Sequence, residues 1–419
     1  MTLVDVNVKS IDYSARYLYP NRMIEIKTKP SRQSVLTPTR AATLYEYKEK
    51  AKVPTDIPIE NQISVNIEKL SYTRFQKLLT TNHYFGKMMR RIDLGNRLAQ
   101  YSDLRVTLLQ PTVTPKIDRG TKTIIRDSPM GILQKDSALR ERFIRFVIRL
   151  QQEIGLDIIT IPFLDLPFHV FQDIVTEIDK NLERIDRQAL FFVDIGYEKF
   201  ESAIELIADD LEAPMIGLIF KRYRRFPLSY EVLSRYIDKD IAFCMVQVNR
   251  YDSSYDDIST MHYLPFFGND IYAVKTPAPF GPGKKVEEEE PSRPPKPPKD
   301  RLQYIRLFDR ESLRVSPILY EPSISEKLAD EYENDVIVAD ILENYREARY
   351  DEEKYKVLRA FSKVSELNSS LSEFERFQDY IEESSARDYI QEKETLQRTL
   401  REARRHSPEH PRGEQIKLA

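Results

Sequence analysis

Along the middle of the chain, short apolar runs alternate with segments whose apolar residues recur every third or fourth position. "GLDIITIPFLDLP" gives way to "VFQDIVTEIDKNLERI", "ALFFVDIG" to "YEKFESAIELIADDL", and "APMIGLIFKRY" to "LSYEVLSRYI", before "DIAFCMVQVN". Apolar runs rich in β-branched and aromatic residues predict strands, and the wider spacing predicts amphipathic helices. Strand followed by helix, repeated, is the signature of βα units and a parallel sheet. The runs are apolar at nearly every position rather than at alternate ones, so both faces of that sheet are expected to be buried.

Upstream, "QSVLTPTRA", "QISVNIEKL", "DLRVTLLQP" and "TKTIIRD" read as further strands, and "HYLPFFGNDIYAVKTP" as a last one entered through a Gly-Asn-Asp turn. With the four central runs, these supply about the number of strands a (β/α)8 barrel needs, a fold of about 250 residues before insertions. The fold class is therefore read as α/β, a (β/α)8 TIM-type barrel with a C-terminal helical appendage. A doubly wound open sheet fits the alternation too, but no GxGxxG fingerprint supports it. The expected organisation is an N-terminal arm over 1–20, the barrel over 21–322, the helical appendage over 323–405 and a tail over 406–419. "APFGPGKKVEEEEPSRPPKPPKD" cannot build a core and predicts a disordered insertion at about 281–300. In the appendage, Ile337, Ile341 and Tyr345, and then Leu371, Phe374 and Phe377, keep helical spacing. Ser372 with Glu375 reads as a capping box that opens the second of these helices.

Composition narrows the chemistry. The 64 basic residues nearly balance the 67 acidic ones, for a formal charge of -3. Nucleic-acid contact therefore has to come from a local patch. One cysteine, Cys244 in "IAFCMVQV", leaves no disulfide or cysteine-built zinc site within these residues and reads as a small core side chain. His169 and His262 have no second histidine at metal-ligand spacing and read as structural, so no metal and no cofactor is expected. No apolar run approaches the roughly 18 to 20 residues of a membrane span. The N-terminus lacks a basic and apolar leader. A soluble, cytoplasmic chain without a membrane role is the expectation.

Four acids stand where a barrel would place chemistry. Asp127 precedes Ser128 and Pro129, Asp165 lies in "FLDLP", Asp194 ends "FFVD", and Asp270 closes the Gly-Asn-Asp turn. Each has a plain alternative as a turn cap or loop anchor. "KRYRRFP" interleaves Lys221, Arg222, Tyr223, Arg224 and Arg225, cations for phosphates and a ring for base stacking, against the alternative of a solvated loop. "KMMRR" at 87–91 is a weaker case, and "EEEE" at 287–290 is linker charge.

Several of these segments, in order, resemble the tRNA-guanine transglycosylase superfamily, which includes queuine- and archaeosine-type enzymes. "VLTPTRAAT" resembles its first barrel strand, and "TIIRDSPMG" its Asp-Ser strand end. "QQEIGLDIITIPFLDLP" resembles a helix-strand unit that ends in an acid, and "FFGNDIYAVKTP" the late Gly-x-Asp motif. The resemblance covers roughly residues 30 to 280. It implies base exchange at a ribosyl C1′ on a guanine or 7-deazaguanine-type base in RNA or DNA. Asp127 would then be the catalytic acid/base, Ser128, Asp165 and Gly217 would lie at the base, and any covalent chemistry would fall to Asp270 or Asp194. The implied partners are tRNA or another nucleic acid and a purine or 7-deazapurine base, with a homodimer or heteromeric partner as a further expectation. Two departures stand out. The family's nucleophile position is occupied by Ala273, and its zinc-binding cysteines are missing. Two other readings are therefore carried forward: a non-catalytic barrel paralogue that binds nucleic acid or a protein, and an unrelated barrel enzyme with a carboxylate site.

Overall fold

The eight predicted strands that pair in parallel do so in chain order. The computed structural model describes residues 4–14, 21–28, 34–50, 63–80, 84–90, 92, 102, 104–118, 120–156, 158–220, 231–252, 258–275, 304–319, 352–383 and 385–405. Strands β1 (Val4–Asp12), β2 (Asn21–Thr28) and β3 (Ser34–Leu36) form an antiparallel N-terminal sheet. Strands β4 (Thr39–Thr43), β5 (Ile63–Leu70) and β6 (Leu104–Pro111) begin the barrel. A hairpin of β7 (Lys116–Ile117) and β8 (Ile124–Arg126) follows. The barrel resumes with β9 (Ile158–Ile161), β10 (Gln188–Asp194), β11 (Met215–Ile219) and β12 (Ala242–Val248). After the short pair β13 (Tyr251–Asp252) and β14 (Ile258–Ser259), β15 (Ile271–Val274) is the last barrel strand.

The sheet order is β6-β5-β4-β15-β12-β11-β10-β9, parallel throughout. The last strand thus returns to the first, with Tyr272 beside Arg40. The two ends, β6 and β9, lie side by side and are stitched by side chains. The Thr160 hydroxyl donates to the Thr107 carbonyl, and Gln110 Nε2 donates to the Phe163 carbonyl at 3.1 Å. Gln151, wholly buried on the helix Ser137–Glu153, stands in for a strand. Its amide donates to the Thr160 carbonyl and accepts from the Thr160 N–H, each at 2.9 Å. A buried backbone group left without a partner costs on the order of 1–3 kcal/mol, so this one side chain removes a real penalty at the seam. The architecture is a nearly closed (β/α)8-type barrel with a C-terminal helical region, as the alternating pattern predicts.

The structure departs from two of these expectations. "TKTIIRD" is not a barrel strand: β8 is exposed at all three positions and, among the described residues, pairs only with β7. Its β-branched run has strand propensity, but "DRGTK" turns it back on itself before either face is buried. Ser372 opens no helix, because it lies inside the helix Glu352–Glu383. Burial of Leu371, Phe374 and Phe377 against the barrel carries the helix past a residue that favours caps.

That helix is part of the barrel wall. Its Phe374 ring stacks on Tyr272 with centroids 5.8 Å apart, Leu367 and Leu371 pack on Ala42, and Arg40 donates to the Glu366 carbonyl. Lys363 pairs with Glu49 beyond the C-terminal end of β4, while Gln378 donates to the Leu36 and Pro38 carbonyls before its N-terminal end. The helix therefore runs antiparallel to β4 and β15 and takes the place of the eighth barrel helix. A hairpin of β16 (Tyr304–Asp309) and β17 (Arg314–Leu319) joins β14 and reaches the same helix through Arg310 and Glu373.

The N-terminal sheet floors the barrel. Val4 N donates to Gln188 Oε1 at 3.1 Å and Val8 N to Asp240 Oδ1 at 2.8 Å, both acceptors standing at the N-terminal ends of barrel strands. Residues Val4–Asp12 of the expected arm thus form a strand of this floor. The insertion at 281–300, the positions Ile337, Ile341 and Tyr345, and the tail over 406–419 lie outside the described residues.

Candidate anion-binding site at the barrel mouth

With one end floored, the C-terminal ends of the strands form the mouth where barrels carry ligand-binding groups. Arg40 and Ala42 face the outer helix, so by alternation Ala41 and Thr43 face the interior. The register carries that row from Thr43 to Val65, then along β5 through Ile67 to Lys69, which pairs with Gln110. Tyr272 also faces the helix, so Ala273 and then Lys275 alternate to the inner side just beyond β15. Lys69 and Lys275 are separated by β4, yet they act on one another. Burial lowers the pKa of the Lys69 ammonium, and the charge of Lys275 lowers it further. By register both lysines continue inner-facing rows at the C-terminal ends of their strands.

Gln110 completes the inner edge. Its Nε2 is held by the Phe163 carbonyl, while its buried Oε1 has no hydrogen-bond partner among the described residues. The rim continues at Tyr72, three residues past Lys69. Arg126 donates to the Tyr72 hydroxyl at 2.7 Å, and the charges of Arg126 and Lys116 lie 5.6 and 5.7 Å from its ring. Like charges crowded in a partly desolvated mouth disfavour one another, and a bound anion relieves both at once. The free acceptor of Gln110 suits an N–H donor on the same ligand.

Of the four acids singled out in the sequence, three stand on the mouth side and one at the opposite end. Asp127 follows the exposed β8 and pairs with Lys135 at 2.6 Å on the surface. Ser128 caps the short helix Pro129–Lys135, its Oγ accepting from Gly131 N at 3.0 Å. Asp165 is exposed in a left-handed conformation at φ 52°, with its carbonyl accepting from Gln134 at 2.7 Å. Asp194 is buried at the end of β10, and its Oδ1 accepts from Gly196 N at 2.8 Å, which shapes the loop. Asp127, Asp165 and Asp194 all lie on the mouth side, each with a local partner.

Asp270 lies at the opposite end, before β15 begins. Arg22 grips both its oxygens at 3.0 and 2.8 Å, and Phe243 N donates to it at 2.7 Å. Burial pushes the Asp270 pKa up, against the opposing pull of Arg22. Arg22 also donates to the carbonyls of Tyr236 and Ile241 at 2.7 and 2.6 Å, so the pair pins the floor to the barrel. Gly217 faces the Phe192 ring, and a Cβ there would meet that ring at 2.5 Å. The glycine therefore makes room for a core aromatic. Ala273 is fully buried. Burial raises the Cys244 thiol to about 12, which removes its nucleophilicity at neutral pH. Lys221, Arg222, Tyr223, Arg224 and Arg225 lie outside the described residues.

Among the described residues, no group of three or more His, Cys, Asp or Glu is placed to hold a metal. No helix of the described residues is long and apolar enough to cross a membrane. Sequence reasoning passed over Lys69, Gln110 and Lys275 because it searched strand ends for acids. Each stands at or just beyond the end of a predicted strand, in "NIEKL", "LLQP" and "AVKTP". A comparison with protein-family models finds no match, and a search of curated proteins finds no significant relative.

Proposed function

We propose that this protein binds nucleic acid through the C-terminal mouth of its barrel, with Lys69 and Lys275 contacting phosphate and Gln110 Oε1 accepting from a base. The observation that carries the reading is a pair of lysines on the inner rows at the C-terminal ends of β5 and β15, near enough for the charge of Lys275 to act on Lys69. The resemblance of four ordered segments to tRNA-guanine transglycosylases makes tRNA the first ligand to try. Base exchange is the second reading, and the buried Asp194 at the end of β10 is the feature that favours it. Binding is preferred because a displacement at C1′ needs an unengaged carboxylate facing the sugar. Asp270 is bound to Arg22 at the floor, and Asp127 to Lys135 on the surface.

The test is incorporation of labelled guanine into bulk tRNA by the full chain, run beside a binding assay. Saturable tRNA binding without incorporation is expected. Incorporation that is abolished by Asp194→Asn would replace the binding reading with exchange.

A further inference from the structure

The hairpin β7–β8 is the most exposed apolar feature among the described residues, and the barrel does not account for it. Ile117 and Ile124 are register partners and are 46% and 65% exposed, and Ile125 beside them is 52% exposed. Exposure of three isoleucines on two short strands is costly in water and marks a contact surface. The paired residues Lys116 and Arg126 turn toward Tyr72, which anchors the hairpin base at the rim. The register shifts between that pair and the Ile117–Ile124 pair, and both isoleucines are left exposed beyond the anchored base.

Hydrogen bonds tie together the described residues of the tip. Asp118 Oδ1 accepts from Gly120 N at 3.1 Å, and its Oδ2 accepts from the Thr121 hydroxyl at 3.0 Å. Asp118 N donates to the Thr123 carbonyl at 2.9 Å, and Lys122 is fixed at φ 55°. Lys116 and Arg126 thus stand at the base of the hairpin and Lys122 in its turn, while Asp118 is occupied by that turn. A cationic, preorganised ribbon with an apolar end matches a polyanion whose bases can be parted. Branched aliphatic side chains serve as such wedges between base steps, at an unstacking cost of about a few kcal/mol per step.

We propose that β7–β8 is a nucleic-acid-engaging finger whose Ile117 and Ile124 insert between adjacent bases of the strand held at the barrel mouth. This rests on the nucleic-acid-binding reading above. Lys122 neutralises phosphate at the tip, and the Tyr72 anchor fixes the finger relative to Lys69 and Lys275.

The experiment uses the full chain and a single-stranded RNA 12-mer carrying 2-aminopurine between two purines, with binding followed by anisotropy of a 5′ fluorescein. Wild type is expected to raise 2-aminopurine fluorescence severalfold on binding. The Ile117→Ser/Ile124→Ser variant is expected to lose that rise and to bind about tenfold more weakly. Both positions are exposed, and an unchanged thermal melt verifies the fold. The Lys69→Ala/Lys275→Ala variant is expected to bind more weakly but to keep the rise at saturation. If the isoleucine variant keeps the rise while the lysine variant loses affinity, the finger is refuted and the mouth reading stands. Absence of RNA binding by wild type overturns both. Loss of a wild-type dimer in sedimentation on the isoleucine substitutions, with RNA binding unchanged, would assign the surface to a second copy and refute the finger.

Discussion

At the scale of single residues, burial sorts structural from functional groups more sharply than residue type does. His262 shows how. Its ring lies between Phe308 and Phe374, 4.6 Å from each, and bonds to Ser259 Oγ and the Ser370 carbonyl. Burial lowers its pKa from 6.5 to about 4, with Glu373 opposing and Arg40 and Lys393 reinforcing the shift. The neutral ring is the folded form, so its contribution is complete above pH 6.5 and is lost as the pH falls toward 4. A shift of that size corresponds to roughly 3 kcal/mol. Urea unfolding at pH 7 and pH 4.5 should show a smaller loss of stability for His262→Phe than for wild type. Equal losses would place the histidine outside the pH response. Sequence reasoning read His262 as structural from its lack of a metal partner, and its place in the core agrees. Asp270 was not legible in the same way. The arginine that engages it is 248 positions away, and no local pattern announces a partner at that separation.

At the scale of elements, the alternation of runs was legible because periodicity is local, and the eight parallel strands follow it. The hairpin was misread because "TII" carries strand propensity whether or not a face is buried, and only tertiary context separates the cases. The long C-terminal helix was legible as a helix but not as a wall. Its role depends on contacts with distant strands, Arg40 and Ala42 more than 300 residues earlier and Tyr272 about 100 residues earlier. It also closes a buried ionic layer in which Arg40 bonds Glu46, Arg250 meets Glu366 at 3.0 Å and Lys363 meets Glu49 at 3.1 Å. Removing one partner of such a pair strands the other, at roughly 3–5 kcal/mol. A chain ending before Glu352 should therefore lose cooperative unfolding, as followed by circular dichroism against urea. A truncated chain that unfolds with the wild-type midpoint would make the region a true appendage.

At the scale of the whole molecule, a near-neutral chain places several cations on the side where a floored barrel opens. The formal charge of -3 argues against a global attraction for nucleic acid. Lys69, Lys275, Lys116 and Arg126 nevertheless lie on one side, at the ends of β5 and β15 and on the hairpin beyond β6. The sequence showed each of these cations but not their meeting, because the barrel brings together strands about 200 residues apart. The most direct test is the affinity of the full chain for bulk tRNA measured across roughly 50 to 200 mM salt, for wild type and for Lys69→Ala/Lys275→Ala. A steep linear fall of log affinity with log salt is expected for wild type. A slope shallower by about one per lysine is expected in the variant. Identical slopes for the two proteins would contradict binding at the barrel mouth.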